Sequence, residues 1–252
     1  MLILKDIKAM QDYRNTARTD SELGVVPTMG ALHKGHLSLM KQSLQENDKT
    51  VVSIFLNPTQ FNDPSDLNGY PKTLEQDIAQ LEAAGVDVLF LPDFDQIYPD
   101  NYRYKILESE FSQTLCGASR PGHFYGVLTV VMKLLNIVGA QRAYFGEKDY
   151  QQYVLIKDMA RAFFLSTDII ACPTIRESDG LAFSSRNARL TLDERKLAPQ
   201  FYKVLSKDIT MDSRKTLLNS QGFNVDYLEE LKGRRYGAVY LGKVRLIDNV
   251  AI

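Results

Sequence analysis

The sequence predicts an α/β protein, in which a parallel sheet crossed by helices is followed by a smaller α+β unit. Short apolar runs rich in β-branched residues alternate with helical patterns, the first clear run ends in a glycine turn that opens a helix, and the alternation stops beyond Ile175. Residues 1–175 are therefore read as the large domain and 176–252 as the small one.

Gly24-Val25-Val26-Pro27-Thr28-Met29 reads as a strand end, Gly30 as the turn, and Leu37, Met40 and Leu44 as one face of the helix that follows. Val51 to Leu56 is almost continuously apolar, as expected of a central strand covered on both sides. Leu74, Ile78 and Leu81 recur at helical spacing before Gly85, a C-terminal cap, and Val88 to Leu91 reads as the next strand. Val127, Val131, Leu134, Leu135 and Val138 form an amphipathic helix ended by Gly139, and Arg142 to Phe145 follows as a strand. Tyr153, Ile156, Ala160 and Phe163 mark another helix, and Ile169 to Cys172 the last strand of the large sheet. In the small domain, Thr191 and Glu194 have capping-box spacing, and short strands are expected around Val239 and Val244-Arg245-Leu246.

Composition narrows the function classes. With 30 Lys and Arg against 31 Asp and Glu, the chain has no basic field to gather nucleic acid or anionic lipid. At 44% hydrophobic and 24% charged residues over 252, it can bury a substantial core, which excludes disordered and fibrous classes. Cys116 and Cys172 are far apart and outside any CxxC spacing, which argues against a disulfide framework or a zinc site and for a reducing compartment. Met1 to Leu4 turns charged at Lys5 and Asp6, too soon for a signal peptide, and Val127 to Val138 is too short to span a bilayer. A cytoplasmic protein with neither membrane nor nucleic-acid partner is expected.

Four segments carry chemistry. In Pro27 to Leu37, His33 and His36 lie where a strand gives way to a helix, with Gly30 and Gly35 allowing close backbone approach. A helix N-terminus offers unpaired N–H groups and the positive end of its dipole, so phosphate is the natural guest, and imidazoles there can donate to charge developing on phosphoryl oxygens. Two satisfied histidines in a turn is the plainer reading, but the chain has only three histidines and two fall in this junction.

Asn57-Pro58-Thr59-Gln60-Phe61 follows a strand's carboxyl end, where open α/β sheets bind ligands, so the Gln60 amide can meet a substrate hydroxyl or carboxylate; taken alone, the block reads as an Asn-Pro turn with a solvated Gln60. In Gly146 to Gln152, Lys148 can meet a phosphate, Asp149 can cap a helix or hold a ribose hydroxyl, and Gln152 lies one helical turn beyond Lys148. An exposed, charged first turn accounts for this block equally well. Arg176 to Asn187 is either a linker or a junction loop whose Ser184, Ser185 and Arg186 clamp a triphosphate opposite the histidines. Two further features are weaker: Arg120 to Gly126, where His123 caps a helix or joins the cleft, and Asp77, a metal contributor or a solvated surface acid.

Together with Arg245 to Asn249, these ordered blocks resemble the pantothenate synthetase (pantoate-β-alanine ligase) family of the HxGH nucleotidyl-transferases, from end to end. The resemblance implies a Rossmann-like first domain, a small C-terminal lid, and a homodimer. It implies that Met29, Gly30, Ala31, Leu32, His33, Lys34, Gly35 and His36 bind ATP together with Gly146, Glu147, Lys148 and Asp149. Ile175, Phe183, Ser184, Ser185 and Arg186 would complete that pocket, Gln60 and Gln152 would hold pantoate, and Gln60 would lie near the path of β-alanine. His36 would donate a proton, and Mg²⁺, His33, His36, Lys148 and Arg186 would stabilise charge moving onto the departing pyrophosphate. The chain departs from the family pattern in a shorter stretch between Asn187 and Arg245, and in Phe183, where an aliphatic residue or Met is expected. The competing activities are an adenylyltransferase that leaves AMP on its product, and a non-catalytic nucleotide sensor.

Overall fold

The computed structural model describes residues 1–17 and 20–252. In chain order the large domain comprises β1 (Leu2–Leu4), α1 (Ile7–Ala17), β2 (Leu23–Thr28), α2 (Lys34–Glu46), β3 (Lys49–Ile54), α3 (Pro64–Asn68), α4 (Leu74–Ala84), β4 (Val88–Phe90), α5 (Phe94–Ile97), α6 (Cys116–Ser119), α7 (His123–Val138), β5 (Arg142–Gly146), α8 (Tyr150–Ala162) and β6 (Asp168–Cys172). The small domain adds α9 (Leu192–Leu197), α10 (Pro199–Leu205), α11 (Met211–Ser220), β7 (Asn224–Leu231), β8 (Arg234–Leu241) and β9 (Val244–Ala251).

The large sheet is parallel throughout, in the order β1-β4-β3-β2-β5-β6. Successive side chains of a strand point to opposite faces, and both faces are covered here. Val25, Val51, Val88 and Ala143 pack beneath α1, α7 and α8, while Val26, Val52, Leu89 and Tyr144 pack beneath α2 and α4. That two-sided burial is why these strands read as unbroken apolar runs. Each such side chain contributes roughly 1.5–3 kcal/mol, so the sheet is the rigid part on which the site is built.

Strand order reverses between β2 and β5: β3 and β4 lie on one side, β6 on the other. Ligands of open α/β sheets bind at such a switch point, outside the carboxyl ends of the strands. Gly24 pairs with Arg142 and Val25 with Ala143, so the histidine segment after β2 and the lysine turn after β5 leave the sheet side by side.

The small domain is a three-stranded antiparallel sheet backed by helices. Val239, Leu241, Val244 and Leu246 face Phe201, Val204 and Leu218. The opposite face turns to the large domain, where Tyr236 joins the main core and Tyr227 and Ile247 pack against it. The expected short strands near Val239 and Val244 are each eight residues long, and the third strand, β7, carried no period clear enough to be assigned. The Thr191–Glu194 capping box forms as expected.

Candidate active site

Thr28 ends β2, and its hydroxyl both donates to the Ser53 carbonyl at 2.8 Å and accepts the Gly30 N–H at 3.2 Å, which turns the chain off the sheet. The loop is then held from below. Asp77, at 1% exposure, accepts the Ala31 N–H at 2.9 Å and the Leu32 N–H at 2.8 Å. This corrects the reading of Asp77 as a metal contributor: both oxygens are engaged by backbone amides, and the acid is an internal brace. It also removes the amides of Ala31 and Leu32 from the set available to phosphate.

His33 caps α2, its Nδ1 accepting the His36 N–H at 3.4 Å. An accepting Nδ1 places the proton of a neutral ring on Nε2. The two imidazoles stack at 3.9 Å between centroids, and the Phe183 ring lies 6.2 Å from His33 at 23°. Phe183 thus extends the imidazole stack rather than opening a gap. Gly35 is needed under this stack, since a Cβ there would lie 2.9 Å from His33 Cε1. Burial, with Lys148 adding to it, pushes His33 down to about 4; burial, then His33 and Lys148, push His36 well below its ordinary value. Both rings are neutral at pH 7, and His36 Nδ1 is buried without a hydrogen-bond partner.

Gln60 ends the short 3-10 turn Pro58–Gln60 beyond β3. Its Oε1 accepts from Asn57 Nδ2 at 3.0 Å, and its Nε2 lies 3.2 Å from Met29 Sδ, a weak acceptor that leaves the amide N–H groups available. Asn57 is itself fixed by the Tyr98 hydroxyl at 3.0 Å and the Gly126 carbonyl at 3.2 Å. Gly126 lets α7 approach this turn, because a Cβ there would sit 2.5 Å from the Thr59 carbonyl.

Lys148 and Asp149 lie in the turn Glu147–Asp149 after β5, with Nζ 3.6 Å from the Asp149 carboxylate. Asp149 makes no capping bond to α8 and lines the cleft instead. Asn249 of β9 holds this turn from the small domain, donating Nδ2 to the carbonyls of Glu147 at 2.8 Å and Lys148 at 3.0 Å.

Ser184 accepts the Arg186 N–H at 3.3 Å, and Ser185 donates to the Ala31 carbonyl at 3.0 Å, tying the junction loop to the histidine segment. Arg186 is paired with Asp66, which Arg189 also engages. Burial alone would lower the Arg186 guanidinium, but its bonds to Asp66 hold it above its ordinary value. Asp66, Arg189 and Tyr70, whose hydroxyl reaches Ser185 at 3.4 Å, were not singled out in the sequence.

These elements enclose a cavity of about 210 Å³. Met29, His33, Gly35 and His36 line it from the first loop, Gly146, Lys148, Asp149 and Gln152 from the β5–α8 turn. Ile175, Phe183, Ser184, Ser185 and Arg186 line it from the junction, and Gln60 from beside β3. Gly30, Ala31, Leu32, Lys34 and Glu147 do not line it. It adjoins a larger cavity between the domains, about 770 Å³, which shares Met29, Gln60, Lys148 and Arg186 and adds Arg120, His123 and Arg245. Among the described residues, no cluster of three or more His, Cys, Asp or Glu could hold a metal on its own, and no helix is long and apolar enough to cross a membrane.

The profile of the family described as pantoate-β-alanine ligase matches residues 2–251. A pantothenate synthetase of Bdellovibrio bacteriovorus is 52% identical over 250 residues, covering 99% of both chains. The crystal structure of a pantoate-β-alanine ligase from Francisella tularensis, complexed with β-γ ATP and β-alanine, superposes with a TM-score of 0.96 at 47% identity, over 100% of this chain and 97% of that one. A pantothenate synthetase from Thermus thermophilus gives 0.89 at 36% identity, over 100% and 99%. The chain thus matches nearly the whole length of each of these relatives. This chain belongs to the pantoate-β-alanine ligase family.

Proposed function

We propose that the chain condenses pantoate with β-alanine, using ATP, through a pantoyl-adenylate, and releases AMP and pyrophosphate. The observation that carries this reading is the meeting, in one crevice at the switch point, of the stacked imidazoles, the Lys148 turn and the Arg186 loop with both glutamines.

A carboxylate resists attack by an amine at neutral pH because oxide is a very poor leaving group. In the first half-reaction a pantoate carboxylate oxygen attacks the α-phosphorus in line and the bond to pyrophosphate breaks. In the second, the free amine of β-alanine attacks the acyl carbon, loses a proton, and expels AMP. The residues act by positioning and by meeting charge as it moves. Nε2–H of His33 donates to a phosphoryl oxygen. His36 is the proton donor: the negative charge of a triphosphate draws its pKa upward, so that more of the ring carries the proton to be given than in the ligand-free cleft. Lys148 neutralises the departing pyrophosphate, and Arg186 exchanges Asp66 for phosphate oxygens. The amide of Gln60, with only a thioether to satisfy it, turns to the carboxylate or hydroxyl of pantoate, and Gln152 meets the acid from α8.

Mg²⁺ enters with the phosphates of ATP, and Asp149, a carboxylate lining the cleft, is the residue that would hold it. Bound there, the ion would offset negative charge on the phosphates. The reading extends to a homodimer in the cytoplasm, supported by the family resemblance and tested by sedimentation of the purified protein and by fractionation.

The direct test is incubation with ATP, Mg²⁺, pantoate and β-alanine, each omitted in turn, with products identified by mass spectrometry. Free AMP and an amide only when all are present is the expected result. An adenylylated product that keeps its AMP would refute the ligase reading.

A further inference from the structure

The block Arg245 to Asn249 has no step in the reaction above, yet two neighbouring residues of it meet two turns that flank the smaller cavity. Successive side chains of a strand point to opposite faces. Along β9, Val244 and Leu246 pack under α10, and Ile247 packs against the large-domain core. Asp248 therefore continues the first face and Asn249 the second.

On the α10 face, the buried Asp248 receives Arg176 as a fork: Nη1 donates to Oδ2 at 2.6 Å and Nη2 to Oδ1 at 2.9 Å. The guanidinium lies 3.5 Å from the centre of the Tyr202 ring of α10, and Nη1 also donates to the Gly180 carbonyl at 3.2 Å. Three oxygens and a ring face thus fix Arg176, a geometry that a flexible ammonium would not reproduce. Arg176 bridges Ala182, and the Phe183 N–H donates to the Ile175 carbonyl at 3.1 Å, so the junction loop begins as a small hairpin. Ile175 and Phe183, at the open end of that hairpin, line the smaller cavity.

On the large-domain face, Asn249 Nδ2 donates to the carbonyls of Glu147 at 2.8 Å and Lys148 at 3.0 Å, while its Oδ1 accepts from Arg234 Nη1. Carbonyls only accept and a guanidinium only donates, so the orientation of the amide is determined. Arg234 is itself stacked 3.6 Å from the centre of the Tyr150 ring, where α8 begins. Neither Asp248 nor Asn249 lines the smaller cavity, so both act through what they hold.

We propose that Asp248 and Asn249 form a clasp that sets the spacing between the Lys148 turn and the Ile175–Phe183 hairpin, which makes Asp248, through Arg176, a positioning residue for adenylate formation. This role presupposes the ligase reaction proposed above. The phosphates of one ATP must meet Lys148 from one side and, from the other, the Ser184–Arg186 segment that continues the hairpin, so an error in their spacing is felt in the transition state. The links stand in series: Arg176–Asp248 joins the hairpin to β9, and Asn249 joins β9 to the Lys148 turn. A chain of two links fails when either breaks, and a second break adds little. Two independent braces would instead add their effects.

The test is a double-mutant cycle of Asp248→Asn and Asn249→Ala, read by pantoate-dependent exchange of pyrophosphate into ATP. Each single variant is expected to lower kcat/KM for ATP about fivefold or more, with the KM for pantoate changed far less. The double variant is expected to fall short of the product of the two losses by about threefold or more, beyond the scatter of independent sites. Arg176→Lys, which keeps the charge and loses the fork, breaks the same link and is expected to behave as Asp248→Asn does; it takes that variant's place in the cycle if Asp248→Asn does not fold. Arg235→Lys is the stability control, since Arg235 holds the carbonyls of Leu205 and Lys207 and touches neither turn. It is expected to melt lower and to exchange as wild type does below its melting range. A smaller shortfall, or exchange lost only in proportion to the unfolded fraction, would overturn the clasp. Wild type that binds ATP without exchanging rejects the ligase reading and the positioning role with it, whereas wild type that exchanges and an additive cycle reject the clasp alone.

Discussion

The carboxylate of Asp66 accepts hydrogen bonds from Arg186 Nη2 at 2.7 Å and Nε at 3.2 Å, and from Arg189 Nη1 at 2.7 Å, so that one acid of α3 holds two cations of the domain junction. Burial alone would raise the Asp66 carboxyl, but these donors hold it below its ordinary value. In the ligand-free cleft Arg186 is thus already engaged, and a triphosphate must compete with Asp66 for it. Asp66→Asn is expected to destabilise the fold by about 1–3 kcal/mol, less than a fully buried pair because the site is partly open, while lowering the Kd for ATP several-fold. Urea denaturation and calorimetry check both signs. Weaker ATP binding in the variant would show that Asp66 assists the nucleotide rather than standing in for it.

His33→Ala or His36→Ala is expected to slow adenylate formation by about 100-fold or more, the scale of one preorganised donor to developing charge. Pyrophosphate exchange measures it. Wild-type exchange in either variant refutes the role given to that ring.

Gln60→Ala should raise the Kd for pantoate far more than that for ATP, since, among the described residues, the only contact of its amide N–H groups with the histidine loop is the weak one to Met29 Sδ at 3.2 Å. Titration calorimetry with each ligand distinguishes the two, and an unchanged pantoate affinity excludes the assignment.

Asn249→Ala would remove the two hydrogen bonds that its Nδ2 donates to the carbonyls of Glu147 and Lys148, at a cost of about 1–3 kcal/mol. The Lys148 turn loses its support from the small domain, so the KM for ATP is expected to rise several-fold. A variant that melts lower with an unchanged KM would confine Asn249 to stability.

The histidines make stability depend on pH. The ordinary value is 6.5, and burial puts His33 at about 4, His123 at about 3 and His36 well below the ordinary value in the folded chain. Below 6.5 the unfolded chain binds these protons and the folded chain does not, so stability falls as pH falls, by up to about 1.4 kcal/mol per pH unit for each ring. Urea midpoints at pH 7, 6 and 5 should decline, and His33→Asn should flatten the slope. A midpoint that rises toward pH 5 contradicts the neutral rings.

Much of the large domain is legible in the sequence because its strands are buried on both faces, and a nearly continuous apolar run such as Val51 to Phe55 suits a central strand better than any half-exposed element. The small sheet is harder. Between Asn224 and Leu231 one face turns to α11 and the other to a second domain, a bulge lies between Val225 and Tyr227, and the alternation is blurred. Its hairpin turn at Lys232-Gly233, both at positive φ, was a local signal that could have located β7 and β8 together. At the site, segments bearing their own glycines and histidines announce themselves. Partners brought in from far along the chain do not: Asp66 meets Arg186 across 120 residues, and Asn249 meets Glu147 across 102. Asp77 failed as a metal contributor for the same reason, because no local feature tells that its carboxylate faces two loop amides.

The most direct measurement of the central claim follows oxygen. Pantoate labelled with ¹⁸O in its carboxylate is supplied with ATP and β-alanine, and the phosphorus products are analysed by mass spectrometry. If the acid attacks the α-phosphorus in this cleft, AMP carries one labelled oxygen and pyrophosphate carries none. Label in pyrophosphate or inorganic phosphate, or unlabelled AMP alongside the amide, would contradict it.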